Sequence, residues 1–156
     1  MNKTALSLCL ASALALPGLV QAKPITLATQ MKNYGGDGAY LAFYVTDAKG
    51  QYQKTLWVSG KKAKYYKNLR DWARGSGLKP SEFDGVSGAS VGSGRSLKVT
   101  VELADALIDA GYEIRVDSAV EDGRDNSADV RVPLTTAGAG KPSAGRGYVQ
   151  SFTYDM

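Results

Sequence analysis

The sequence predicts an all-β dominated chain, an antiparallel β-sandwich with one inserted helix. Three observations carry that expectation. Seven short segments alternate apolar with polar residues or concentrate aromatic and β-branched ones. Clusters of Gly, Asp, Asn and Ser punctuate them. One stretch alone, residues 61–74, shifts to three- and four-residue spacing.

Residues 1–22 have the layout of a secretory signal peptide. Lys3 gives the positive start, residues 4–16 form the apolar run, and Val20-Gln21-Ala22 is a small-residue cleavage site. Cleavage is expected after Ala22, leaving residues 23–156 as a single domain, enough chain for one core and not for two. The apolar run is too short for a membrane span. Cys9 follows Leu8 inside that run, which excludes lipid attachment there. The product is therefore expected in the periplasm and not embedded in a membrane. Loss of Lys3 lowers the formal charge from +4 to +3. So small a basic excess serves solubility and argues against a nucleic-acid partner.

Ile25-Thr26-Leu27-Ala28-Thr29 forms a first predicted strand, and residues 33–38 form a turn rich in glycine. Residues 39–45 and 52–58 are aromatic and β-branched, with Asp47-Ala48-Lys49-Gly50 between them, the pattern of a β-hairpin. In residues 61–74, Tyr65, Tyr66, Leu69 and Trp72 recur at helical steps among six basic residues, and Gly75, Gly77 and Pro80 end the helix. Such a helix either covers the core with a solvated basic face, or offers Tyr65, Tyr66 and Trp72 to a planar ligand whose phosphate the lysines attract. Residues 96–103 and 112–119 alternate as half-buried strands, separated by a loop or helical turn at residues 104–110. Residues 121–126 form a polar turn before a strand at 128–134, which Pro133 confines to an edge or an end. A mobile Gly/Ala/Ser/Pro-rich excursion over residues 135–147 precedes the last strand, residues 148–154.

The chain contains no histidine, and its lone cysteine lies in the predicted leader. These absences exclude Ser-His-Asp and Cys-His nucleophilic sites, the usual zinc ligand sets, thiolate-held clusters and His-ligated haem. A hydrolase built on Ser87 or Ser90 lacks a base. Redox chemistry in such a chain requires an organic cofactor.

One family shares this layout. Its marks are Val45-Thr46-Asp47-Ala48-Lys49-Gly50 leading into Thr55-Leu56-Trp57, then Asp84-Gly85-Val86-Ser87-Gly88-Ala89-Ser90, then Gly111-Tyr112-Glu113-Ile114-Arg115-Val116 running on to Ala119, Glu121 and Gly123. On these residues nearly all of the mature chain resembles the predicted periplasmic proteins of domain-of-unknown-function family 2271. The resemblance implies an immunoglobulin-like sandwich. It also implies the company of PepSY-type inner-membrane proteins and of the exported transferase that moves FMN from FAD onto proteins. This sequence departs from the family pattern at Asp122, where histidine is common, and at Ser90, where threonine is common.

The loop at residues 84–90 resembles the target of that transferase: Asp84, two variable residues, Ser87, Gly88, Ala89 and then the acceptor hydroxyl of Ser90. An acceptor must be exposed on a segment another enzyme can engage, and Gly85, Gly88, Gly92 and Gly94 are expected to supply flexibility while Ala89 leaves room. Consecutive backbone N–H groups in such a loop can hold phosphate oxygens. The resemblance thus implies covalent FMN at Ser90 and an electron carrier working with a PepSY-type reductase, more a carrier than an enzyme with its own substrate. The alternative is a non-catalytic immunoglobulin-like binding or scaffold module accessory to iron or haem uptake, in which the loop is only a turn. Colour retained after denaturation separates the two.

Overall fold

The computed structural model describes residues 21–156. The apolar part of the predicted leader lies outside the described residues, and the expected cleavage point falls at the first residue of the first strand. The described strands are β1 (Ala22–Met31), β2 (Tyr40–Thr46), β3 (Tyr52–Ser59), β4 (Ser87–Gly88), β5 (Ser96–Ala104), β6 (Glu113–Ala119), β7 (Asp125–Pro133), β8 (Ser143–Ala144) and β9 (Val149–Asp155). They form a four-stranded sheet in the order β5-β1-β9-β8 and a five-stranded sheet in the order β4-β3-β2-β6-β7. Every pairing between strands is antiparallel except β3 with β4, a parallel pair of two residues. The molecule is thus a β-sandwich with one parallel edge, as its alternating segments predict.

Inward residues of both sheets make the main core. Ile25, Leu27 and Met31 of β1 and Phe152 of β9 meet Leu41, Phe43 and Val45 of β2 and Ile114 and Val116 of β6. The five-stranded sheet is buried on its other face as well, where Ala42, Tyr44, Val58 and Ala119 pack against Tyr66, Leu69 and Trp72. Two covered faces explain why β2 reads as an unbroken apolar run rather than an alternating one. A bulge in β3 sorts the residues between these faces. Phe43 pairs with Trp57 and Tyr44 with Thr55, so Leu56 has no partner on β2. Leu56 and Trp57 consequently share the sheet–sheet core, whereas the Thr55 hydroxyl accepts from the Trp72 indole at 2.9 Å on the helix side.

The continuous helix expected over residues 61–74 is instead two pieces, a 3₁₀ segment Ala63–Asn68 and a short helix α1 (Arg70–Ser76), divided at Leu69 (φ −84°, ψ 73°). Tyr66, Leu69 and Trp72 are all buried at strict three-residue steps. Tyr66 lies in the 3₁₀ segment and Trp72 in α1, and the non-helical turn at Leu69 between them lets all three pack in one cluster on the sheet. Gly77 ends α1 at φ +64°, its N–H donating to Ala73 O. Residues 135–147 also differ from expectation. They contain β8, and Gly140, Arg146 and Gly147 donate backbone N–H groups to Tyr154 O, Asp129 O and Asp129 Oδ1. Strand β7 begins earlier than expected and ends at Pro133, on the edge of its sheet.

Two buried carboxylates tie these layers together. Asp117 of β6 accepts from Tyr44 Oη (2.9 Å), Trp72 N (2.9 Å) and Ala128 N (2.8 Å), joining β2, α1 and a bulge in β7. Asp129 accepts from Ser118 Oγ, Gly147 N and Val149 N, joining β7 to β9. Neither residue stands out in the sequence, because an acidic residue within an alternating strand ordinarily faces water.

Candidate functional site

The loop from Pro80 to Val91 is built around a few anchors. A 3₁₀ turn at Pro80–Glu82 starts it, and Asp84 N donates to Pro80 O at 2.8 Å. Phe83 then packs edge-on against Tyr66 (5.2 Å) and Trp72 (5.9 Å), which fastens the loop to the helix-side core. Gly85 turns the chain at φ +78°. From there the backbone joins the sheet: Val58 N donates to Val86 O, Ser87 and Gly88 pair with Val58 and Ser59, and Gly60 N donates to Gly88 O at 2.8 Å. Val91, buried in the main core, exchanges two backbone hydrogen bonds with Ala39, at 2.7 and 2.9 Å.

Only Ala89 and Ser90 lie between these anchors, and both are exposed. Asp84 and Ser87 are exposed too, while Gly88 is half-buried. The structure therefore brings Ser87, Gly88, Ala89 and Ser90 onto one short edge, with Asp84 beyond the turn at Gly85. A Cβ added at Gly38 would fall 2.6 Å from Ser90 Oγ, so the Ser90 side chain lies directly over the Gly38 backbone.

The loop is held rather than free, which corrects the expected role of its glycines. A Cβ at Gly88 would lie 2.7 Å from Trp57 Cζ2, so glycine is required here by close approach to an aromatic edge. Gly85 and Gly94, at φ +78° and +69°, do meet a conformational need.

The basic stretch does not meet the loop as the sequence suggests. Tyr66 and Trp72 are buried in the helix-side core and unable to flank a ligand. Tyr65 donates to Glu121 at 2.5 Å with Lys64 over its ring, and Arg70 pairs with Asp125 at 3.1 Å, so these groups are engaged towards the β6–β7 turn. The basic residues next to the loop in the backbone are Lys61 and Lys62, which directly follow Gly60 and are exposed. Ser90 lines neither the cleft at Gly50, Tyr52 and Arg115 nor the one at Ala128, Arg131 and Arg146.

A family model described as "Predicted periplasmic protein (DUF2271)" matches residues 22–151. The chain belongs to the DUF2271 family. Its match begins with β1 and ends within β9, so it spans both sheets of the sandwich. No curated protein and no solved structure matches this DUF2271 chain. Among its described residues no helix is long and apolar enough to cross a membrane.

Proposed function

We propose that this DUF2271 protein is a periplasmic flavoprotein that carries FMN through a phosphodiester on Ser90 and passes electrons with a PepSY-type inner-membrane reductase. The observation that supports this most is the exposed residue Ser90, which ends the Asp84-to-Ser90 motif in a two-residue stretch between backbone anchors. Attachment balances as a transfer from FAD: the Ser90 Oγ–phosphorus bond forms, the pyrophosphate bond breaks, AMP leaves, and the hydroxyl proton passes to the transferase or to water. Once attached, FMN supplies reversible electron acceptance. Backbone anchors at Gly60–Gly88 and Ala39–Val91 fix the loop on either side of Ser90, and Ala89 adds little bulk beside it. Lys61 and Lys62, next in the chain after the Gly60 that bonds Gly88, add positive charge near the loop that would favour a phosphate. A group carried on an open surface suits exchange with another protein better than turnover of an enclosed substrate.

The second reading is a non-catalytic scaffold module accessory to iron or haem uptake, and serine in place of the commoner threonine at the acceptor position favours it. Co-expression with an active FMN transferase, followed by flavin fluorescence on a denaturing gel, separates the two. The flavoprotein reading expects a fluorescent band that Ser90→Ala abolishes, Ser87→Ala retains and Ser90→Thr retains or strengthens. A dark wild-type band beside a fluorescent control substrate leaves the scaffold reading.

A further inference from the structure

At the end of β2 remote from Ser90, about 20 Å away by the rise of a seven-residue strand, a cleft of about 330 Å³ opens between the β2–β3 turn and α1. That volume is at the lower end of small-ligand sites. Its lining includes Arg115, Arg74, Asp71, Tyr52, Gln51 and Gly50.

The floor is an incompletely satisfied guanidinium. Glu113 is shared by two arginines. Arg131 takes both of its oxygens, at 2.8 and 3.0 Å, while Arg115 reaches only Oε2, through Nε and Nη2, both at 3.2 Å. The poorer share belongs to the more buried cation, since the Arg115 side chain is 13% exposed and that of Arg131 59%. Among the described residues Arg115 Nη1 donates to no protein acceptor and is not a fully buried atom, so it is open from the cleft to a ligand or to water.

The walls are fixed in place. Asp47 Oδ1 accepts from Lys49 N and Gln51 N, which sets the turn. Gly50, at φ +77°, comes so close that a Cβ there would lie 3.0 Å from Arg115 Nη2. On the other side, Asp117 holds Trp72 N of α1, and Gly75 packs where a Cβ would overlap the Tyr52 Cβ. Tyr52 is itself fixed through Thr55 Oγ1 and Glu82 Oε2, both at 2.7 Å.

We propose that this cleft binds a small organic monocarboxylate, its oxygens on Arg115 at the floor and Arg74 at the rim, its carbon body against Tyr52. A guanidinium fork matches a carboxylate in plane and spacing. Asp71 on the same wall, 3.4 Å from Arg74, opposes a dianion and so favours a single negative charge over phosphate. The site requires nothing of Ser90 and is tested on protein without flavin.

The test titrates mature Ser90→Ala protein with propionate, and separately with inorganic phosphate, at constant ionic strength, followed by amide chemical shifts. The proposal expects saturable shifts at residues 50–52, 71–75 and 115, with phosphate at least tenfold weaker. Arg74→Gln, an exposed change, is expected to weaken propionate about tenfold, the loss of one charge-assisted hydrogen bond. Lys67→Gln is expected to leave it unchanged. Arg115→Lys, checked for folding by circular dichroism, is expected to abolish saturation. If that variant does not fold, Arg74→Gln and the wild-type shift map decide. Shifts that fail to saturate, that appear elsewhere, that persist equally in Arg74→Gln, or that favour phosphate would overturn the proposal.

Discussion

Asp117 and Glu113 lie four residues apart on β6, and their environments push their carboxyl groups in opposite directions. Burial raises Asp117 above the usual carboxylate value and outweighs the three donors that favour its charge. A carboxyl raised by folding supports the fold below its unfolded value of 3.8, and that support is lost as pH rises through the higher folded value. For Glu113 burial also acts upward, but the Arg131 and Arg115 guanidiniums outweigh it and hold the group low. Its contribution is present above the unfolded value of 4.5 and is lost as pH falls through the lower folded one. Glu113→Gln is therefore expected to flatten the acid limb of stability below pH 4.5, read from urea melts at successive pH values. Asp117→Asn tests the other carboxylate. Oδ1 serves Tyr44 and Ala128 while Oδ2 serves Trp72, and an amide offers only one acceptor oxygen. At neutral pH the variant is expected to lose about 1–3 kcal/mol in urea unfolding. An unchanged midpoint would mean that this junction contributes little.

The two-residue strand β4 fixes the backbone just before Ala89 and Ser90. Its parallel pairing with β3 brings Gly88 against Trp57, and the bulge at Leu56 puts Trp57 at that position. Gly88→Ala is expected to displace Trp57 or detach β4, changing near-ultraviolet circular dichroism while far-ultraviolet signals stay close to wild type. Identical near-ultraviolet spectra would contradict the close approach. The hairpin, the β5 and β6 strands and the placement of Pro133 were legible in the sequence, because each rests on local alternation or turn chemistry. The bulge and β4 were not, since Ser87-Gly88 reads as turn and owes its strand geometry to a partner some 30 residues earlier in the chain, Val58-Ser59. The break at Leu69 was hidden for a similar reason: Tyr66, Leu69 and Trp72 fit the spacing of one helix, and the turn between the two pieces shows only in their packing on the sheet.

Across the whole molecule the sandwich separates two poles. One end of the five-stranded sheet carries the Ala89-Ser90 edge, and the other carries the arginine-floored cleft. The motif at the first pole was readable as a string of residue types. The second was not, because Arg115, Arg74 and Tyr52 come from three separate elements and converge only in the fold. With no histidine, and no cysteine in the predicted mature chain, any redox chemistry here requires an organic cofactor. The structure adds an exposed Ser90 beside a sheet edge, its side chain next to the Gly38 backbone. Intact-mass spectrometry of protein exported beside an active FMN transferase tests the central claim most directly. The account predicts a chain beginning at Lys23 and heavier by one FMN less one water, with the increment lost in Ser90→Ala. An unmodified mass under confirmed transferase activity, or an increment that persists in Ser90→Ala, would contradict it.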